Sequence, residues 1–150
     1  YFKNFAGKEI KDIFSKSQLD NSKILFANEF QSFVFLNNGK KFDAKPLPII
    51  AQSSPISVIE TCDFNSDNKL DLLIFGNKNF VSTYFGSFDA NHGILLKGNG
   101  NGTFDYVDQK KSGLNVTGEI KKMFYLDKNK TKFVLGVNDN ELNFYKLNSL

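Results

Sequence analysis

Three short apolar runs punctuate the chain, Ile24-Leu25-Phe26, Leu72-Leu73-Ile74-Phe75 and Phe133-Val134-Leu135, each bounded by polar and turn-forming residues. Apolar runs this short, fenced by turn residues, read as buried strands. An alternating segment and a polar loop precede each run. An Asn and a third segment follow it, at Ser32 to Leu36, Ile94 to Lys97 and Leu142 to Leu147. Two of these third segments lead into Asn-Gly turns, Asn37-Asn38-Gly39-Lys40-Lys41-Phe42 and Asn99-Gly100-Asn101-Gly102-Thr103-Phe104. Asn-Gly supplies the positive φ of a tight hairpin, which predicts a fourth, outer strand after each.

This punctuation is a repeat. Gly7 to Asn28 and Thr117 to Asn138 are both 22 residues long and align without a gap, placing Glu9 on Glu119, Ile10 on Ile120, Lys11 on Lys121 and Phe14 on Phe124. Ile56 to Asn77 fits as a middle copy, with Ile59 on Ile10 and Asn77 on Asn28. The spacings, 49 residues from Ile10 to Ile59 and 61 from Ile59 to Ile120, differ by an insertion after Asn77, around Val81 to Gly93. Three or four strands recurring at about 50 to 60 residues predict an all-β chain of β-propeller blades, roughly 1–48, 49–110 and 111–150. A β-sandwich with accidental self-similarity is the competing arrangement. Tyr1 to Phe14 also admits a short amphipathic helix through Phe5, Ile10, Ile13 and Phe14; its match to the third copy favours strand.

A chain of 150 residues can bury a real core, and 41% hydrophobic content with 23% charge is that of a folded domain. Seventeen Phe without a Trp suit stacked sheets better than a helical bundle. The net charge of +3 is spread out, and pairs such as Lys110-Lys111 and Lys121-Lys122 read as solvated faces. A nucleic-acid partner would require a denser basic stripe beside aromatic platforms, and is not expected. Cys62, the only cysteine, excludes a disulfide framework and reads as a free thiol in or beside a strand. No apolar stretch reaches the roughly 18 residues of a membrane-spanning helix.

One loop carries chemistry. Asp63-Phe64-Asn65-Ser66-Asp67-Asn68-Lys69-Leu70-Asp71 places side-chain oxygens at positions 1, 3, 5 and 9, with the Lys69 carbonyl available at position 7. That spacing suits a hard cation of calcium size, and magnesium, which keeps waters and demands octahedral geometry, fits less well. Asn68 stands where Gly is usual, and tolerates the left-handed backbone the turn requires. An EF-hand needs Glu at position 12, which here is Ile74. The alternative is a polar turn that binds nothing. In the gapless alignment the equivalents of Asp63, Asp67 and Asp71 are Phe14, Gln18 and Ser22 in the first copy and Phe124, Lys128 and Lys132 in the third. One structural calcium ion, in the middle copy, is therefore the expectation.

The insertion holds His92, the only histidine, with Tyr84, Phe85, Phe88 and Asp89. No nucleophile accompanies a His-Asp pair there, so catalysis is not expected. Loops projecting from a rigid scaffold commonly bind, which makes these five the candidate partner-binding residues. Gly98-Asn99-Gly100-Asn101-Gly102 lacks the Lys and following helix of a phosphate loop and reads as a hairpin turn.

The run DFNSDNKLDLLIFGN, followed by LLKGNGNGTF, resembles the FG-GAP/VCBS repeat of integrin-α-like β-propellers, and the wider pattern is similar to the C-terminal part of surface VCBS-repeat proteins of Bacteroidetes. The resemblance implies a bacterial, secreted or outer-membrane-associated propeller, usually seven-bladed, stabilised by Ca2+ at Asp63, Asn65, Asp67, Lys69 (carbonyl) and Asp71. Seven such units need about 350 to 450 residues, so this chain is expected to supply two and a half to three blades of a longer polypeptide. The functional expectation is a non-enzymatic binding or scaffold module for a protein or glycan at the cell surface. The alternative is the accessory propeller of a secreted polysaccharide-active enzyme.

Overall fold

The computed structural model describes residues 2–82, 84 and 86–147. The chain divides into two compact units, Tyr1–Phe30 and Gln31–Leu150.

The first unit departs from the repeat. It holds a 3-10 turn at Phe2–Asn4 and two short helices, α1 (Ile10–Ile13) and α2 (Lys16–Asp20), and no strand among its described residues. The expected strand at Ile24-Leu25-Phe26 is irregular chain, with side chains 70%, 77% and 82% exposed. Capping decides the outcome. The Ser15 side chain accepts from the Gln18 amide while the Gln18 side chain accepts from the Ser15 amide, a reciprocal box that nucleates α2. The Asp12 carboxylate accepts the Glu9 amide at 3.0 Å and does the same for α1. With no paired neighbour to receive its backbone groups, the apolar run 24–26 has no reason to extend as a strand. Of the segment considered for an amphipathic helix, only Ile10–Ile13 is α-helical, and Phe5, Ile10, Ile13 and Phe14 are all exposed.

The second unit is built of three antiparallel sheets. β1 (Phe33–Asn37) and β2 (Phe42–Pro46) form a hairpin through the Asn38-Gly39 turn, where Gly39 takes φ 86°. The middle sheet runs in chain order through β3 (Ile56–Cys62), β4 (Asp71–Gly76), β5 (Ile94–Gly98) and β6 (Phe104–Val107). The third sheet is β7 (Ile120–Tyr125), β8 (Lys132–Val137) and β9 (Asn143–Lys146). A single helical turn, α3 (Gln109–Ser112), links β6 to the third sheet; the Asp108 side chain caps it and Gly113 ends it in the left-handed region.

Every residue of β4 is buried, because the middle sheet is covered on both faces. Leu72 and Ile74 with Ile94 and Leu96 pack towards the first hairpin, against Leu47, Ala51 and Val34. Leu73, Phe75 and Leu95 face the other way and pack on Met123, Phe133 and Leu135 of the third sheet. Period-two alternation thus runs through an unbroken apolar run, each parity serving a different neighbour. The all-β expectation holds for this unit.

The sheets repeat closely enough to correct the sequence alignment. Both first strands carry an irregularity, between Ile56 and Val58 in β3 and between Ile120 and Lys122 in β7. Ile59 pairs with Ile74 and Met123 with Leu135, so β3 maps on β7 with an offset of 64 and β4 on β8 with an offset of 61. The β7–β8 loop is therefore three residues shorter (64 − 61). A gapless match sets Phe124 on Asp63; the structure sets Asp127 there.

Candidate metal centre

The β3–β4 loop is curled by its own polar side chains. Ser66 and Asn68 both take left-handed backbone, φ 58° and 64°, so Asn68 does adopt the conformation expected of it. Asp63 accepts the Asp67 amide on Oδ1 at 3.0 Å and the Asn68 amide on Oδ2 at 2.8 Å. Asn65 Oδ1 also accepts from the Asp67 amide at 3.0 Å, and its Nδ2 donates to Asp67 Oδ2 at 3.2 Å. Asp67 Oδ1 accepts the Lys69 amide at 3.0 Å. Short Asx and Asn side chains reaching amides two to five residues on are what turn sequences of this composition do.

Asp71 differs in kind. It is buried at the first position of β4, where Oδ2 accepts the Phe64 amide at 2.9 Å and Oδ1 the Gly98 amide at 2.8 Å. The second contact requires glycine: a Cβ at position 98 would lie 2.0 Å from the Leu70 carbonyl oxygen. Asp71 thus fastens the loop to the end of β5.

A cation already stands at the loop. Lys97, on β5, places Nζ 3.2 Å from Asp67 Oδ2. Partial desolvation raises the Asp67 pKa, but the Lys97 ammonium, the Lys69 amide and Asn65 together leave it below the ordinary carboxylate value. Among the described residues no group of three or more His, Cys, Asp and Glu side chains stands in a metal-holding arrangement. The loop carboxylates are turned instead to amide groups. The donor set itself is all oxygen, which is the chemistry a hard cation requires, and each carboxylate oxygen keeps a second lone pair.

The matching loop of the third sheet repeats the first turn of this arrangement. Asp127 Oδ1 accepts the amides of Thr131 at 2.8 Å and Lys132 at 2.9 Å, four and five residues on, as Asp63 does. The Thr131 hydroxyl also donates to Asp127, and it leads the influences that hold that carboxyl below its usual pKa. Lys132 occupies the place of Asp71. The first acidic position is retained there, contrary to the gapless alignment, while the last has become a cation.

The insertion leaves the opposite end of β4. Its base is closed by reciprocal backbone bonds between Lys78 and Phe88, at 2.8 and 2.9 Å. Buried Asn77, with φ 83°, donates to the carbonyls of Asn91 and Gly118, and accepts from the Asn91 amide and the Ser54 hydroxyl. Of the candidate partner-binding residues, Tyr84, Phe88 and Asp89 are exposed, and Phe85 lies outside the described residues. His92 is exposed too, but its Nδ1 lies 3.2 Å from the Val116 carbonyl, and its backbone pairs with Val116, so it anchors the insertion to the segment before β7. The six residues of β4 separate the insertion from the Asp63–Asp71 loop by about 20 Å, and the two do not form one site.

Sequence reasoning missed Glu119. Its buried carboxylate receives Lys121, Lys78 at 3.2 Å and the Asn79 amide at 3.2 Å, tying the base of the insertion to the third sheet. Lys121 and the Asn79 amide lead in lowering its pKa to about 2, against opposing desolvation. Nothing in the spacing of residues 78 and 119 announces that contact. No helix among the described residues is long and apolar enough to cross a membrane. No family model, no curated protein and no solved structure matches this chain.

Proposed function

We propose that this chain is a section of a calcium-stabilised β-propeller, a non-enzymatic binding or scaffold module that is secreted or held at the cell surface. The observation that carries the reading is the loop Asp63–Asp71, in which Asp63, Asn65 and Asp67 curl a left-handed turn, with Asp71 anchored at its end. In this reading Asp63, Asn65, Asp67 and Asp71, with the Lys69 carbonyl, hold one Ca2+. The ion supplies no chemistry to a substrate. It closes the loop between two strands and stabilises the blade by binding the folded state alone.

The stacking of the sheets supports the propeller reading. Phe124 pairs with Val134 and Val134 with Phe144, forming an apolar row across the third sheet. Phe124 and Phe144 are 62% and 67% exposed, whereas Leu73 and Leu95, which hold the register positions of Val134 and Phe144 on the middle sheet, are buried against the third. A further blade of a longer chain would cover that row in the same way. Recognition of a protein or glycan is assigned to the insertion, whose exposed Tyr84, Phe88 and Asp89 project from a base held rigid by Asn77 and Glu119.

Thermal unfolding with calcium and with EDTA, repeated for Asp67→Ala, tests the metal. A rise in midpoint with calcium that the variant lacks is the expected result. Equal midpoints in all samples overturn the calcium reading.

A further inference from the structure

The three sheets stack in one sense, and each contact joins two unlike faces. The middle sheet turns Leu72, Ile74, Ile94 and Leu96 to the first hairpin, and Leu73, Phe75 and Leu95 to the third sheet. Register identifies the two faces left over. Val134 pairs with Phe144 at the positions where Leu73 pairs with Leu95. The outer face of the third sheet is therefore the kind that meets a following sheet. On the hairpin, Asn37 pairs with Phe42 after the Asn-Gly turn as Gly98 pairs with Phe104. That places Phe33 and Phe35 where Ile94 and Leu96 stand, on the kind of face that meets a preceding sheet.

Both faces are open and aromatic. Phe35 and Phe42 on the hairpin are as exposed as Phe124 and Phe144 on the third sheet, and Ala44 and Pro46 complete the hairpin's apolar surface. Alternation sets Lys122, Lys132 and Lys146 around the Phe124–Val134–Phe144 row. No strand residue on the hairpin's outer face is charged, so the two surfaces match in apolar character rather than in charge. The rings of Phe35, Phe42, Phe124 and Phe144, each about two-thirds exposed, offer roughly 500 Å2 between them. That is a sizeable part of the about 1,200 Å2 at which specific interfaces begin, which implies a reversible association.

We propose that this chain associates head to tail with a second copy of itself, the outer face of one third sheet seating on the outer face of the next copy's first hairpin. The contact repeats between chains the packing already made twice within one. It is heterologous, since the two faces differ, and each copy keeps one of each kind. The inference rests on the stacked-blade reading above and names a second copy as the source of the following blade. It does not depend on calcium.

Sedimentation velocity of the 150-residue chain across a dilution series tests it. A species larger than one chain, dissociating on dilution, is expected for the parent. Phe35→Lys and Phe144→Lys, each at an exposed position and each with parent-like circular dichroism, should both run as monomers. Each variant keeps one intact face, so their equimolar mixture should form a pair of chains and nothing larger. A monomeric parent at every concentration, a single variant that still self-associates, or a mixture that stays monomeric overturns the proposal. A monomeric parent whose melting midpoint still rises with calcium would overturn the self-association alone and leave the calcium-stabilised blade standing.

Discussion

Lys97 Nζ stands 3.2 Å from Asp67 Oδ2, so an ammonium carried by β5 already neutralises a carboxylate of the β3–β4 loop. A divalent ion entering the loop has to displace that ammonium or tolerate its repulsion. Lys97→Met should therefore tighten calcium binding, by roughly fivefold at low salt, and the gain should shrink as ionic strength rises. Calcium titration calorimetry at two salt concentrations checks it. Identical affinities for the variant and the parent chain would show that Lys97 is a bystander.

Asp71→Ala removes an acceptor shared by the half-buried Phe64 amide and the buried Gly98 amide. Leaving buried donors unpaired costs about 1 to 3 kcal/mol each, so a loss on the order of 3 kcal/mol is expected even in EDTA. Asp67→Ala, at a half-exposed position, should cost far less without calcium. Denaturant unfolding of the two variants separates the structural acid from the one whose value lies in the ion.

Glu119 gives the protein an acid-sensitive tie. Its folded pKa of about 2 lies below the ordinary 4.5, so its contribution is fully present above pH 4.5 and is lost as pH falls towards 2. Glu119→Gln should lower the melting midpoint near neutral pH and flatten its dependence on pH across that acid window. A variant whose acid limb matches the parent's would remove Glu119 from the tie.

Tyr125 is a site where a change should help. Its hydroxyl is buried without a hydrogen-bond partner among the described residues, and burial, followed by the nearby Glu60 and Cys62, raises its pKa to about 12. Tyr125→Phe keeps the ring and removes the orphaned group, and should stabilise by up to about 1 kcal/mol. Thermal unfolding at neutral pH reads the shift, and a lower midpoint would mean that the hydroxyl has a partner in solution.

The strands that sequence could locate were those whose pattern is local. Leu72 to Phe75 is an apolar run short enough to be a strand, and Asn-Gly at 38–39 fixes a hairpin on its own. The candidate metal loop was legible for the same reason, since Asp63, Asn65, Asp67 and Asp71 are set by spacing along one turn. The first copy misled because similarity at Glu9, Ile10 and Phe14 outweighed a capping signal, Ser15 with Gln18, that was equally present. The three-residue shortening before β8 was hidden because a gapless match has no means of expressing it. Glu119 and Lys97 were beyond reach: each acts on a residue 30 or more positions away, at Lys78, Asn79 or Asp67, and only the folded sheets bring them together.

The carboxylate of Asp71 joins the amides of Phe64 and Gly98, two groups 34 positions apart in sequence and held by one side chain. Neither amide proton can reach solvent without the loop or the β5 terminus withdrawing from that acceptor. Their hydrogen–deuterium exchange should therefore report a common opening event, with protection that rises and falls together when the loop is loaded, acidified or mutated. Two distant amides would then act as a single clock for the loosening of the middle sheet.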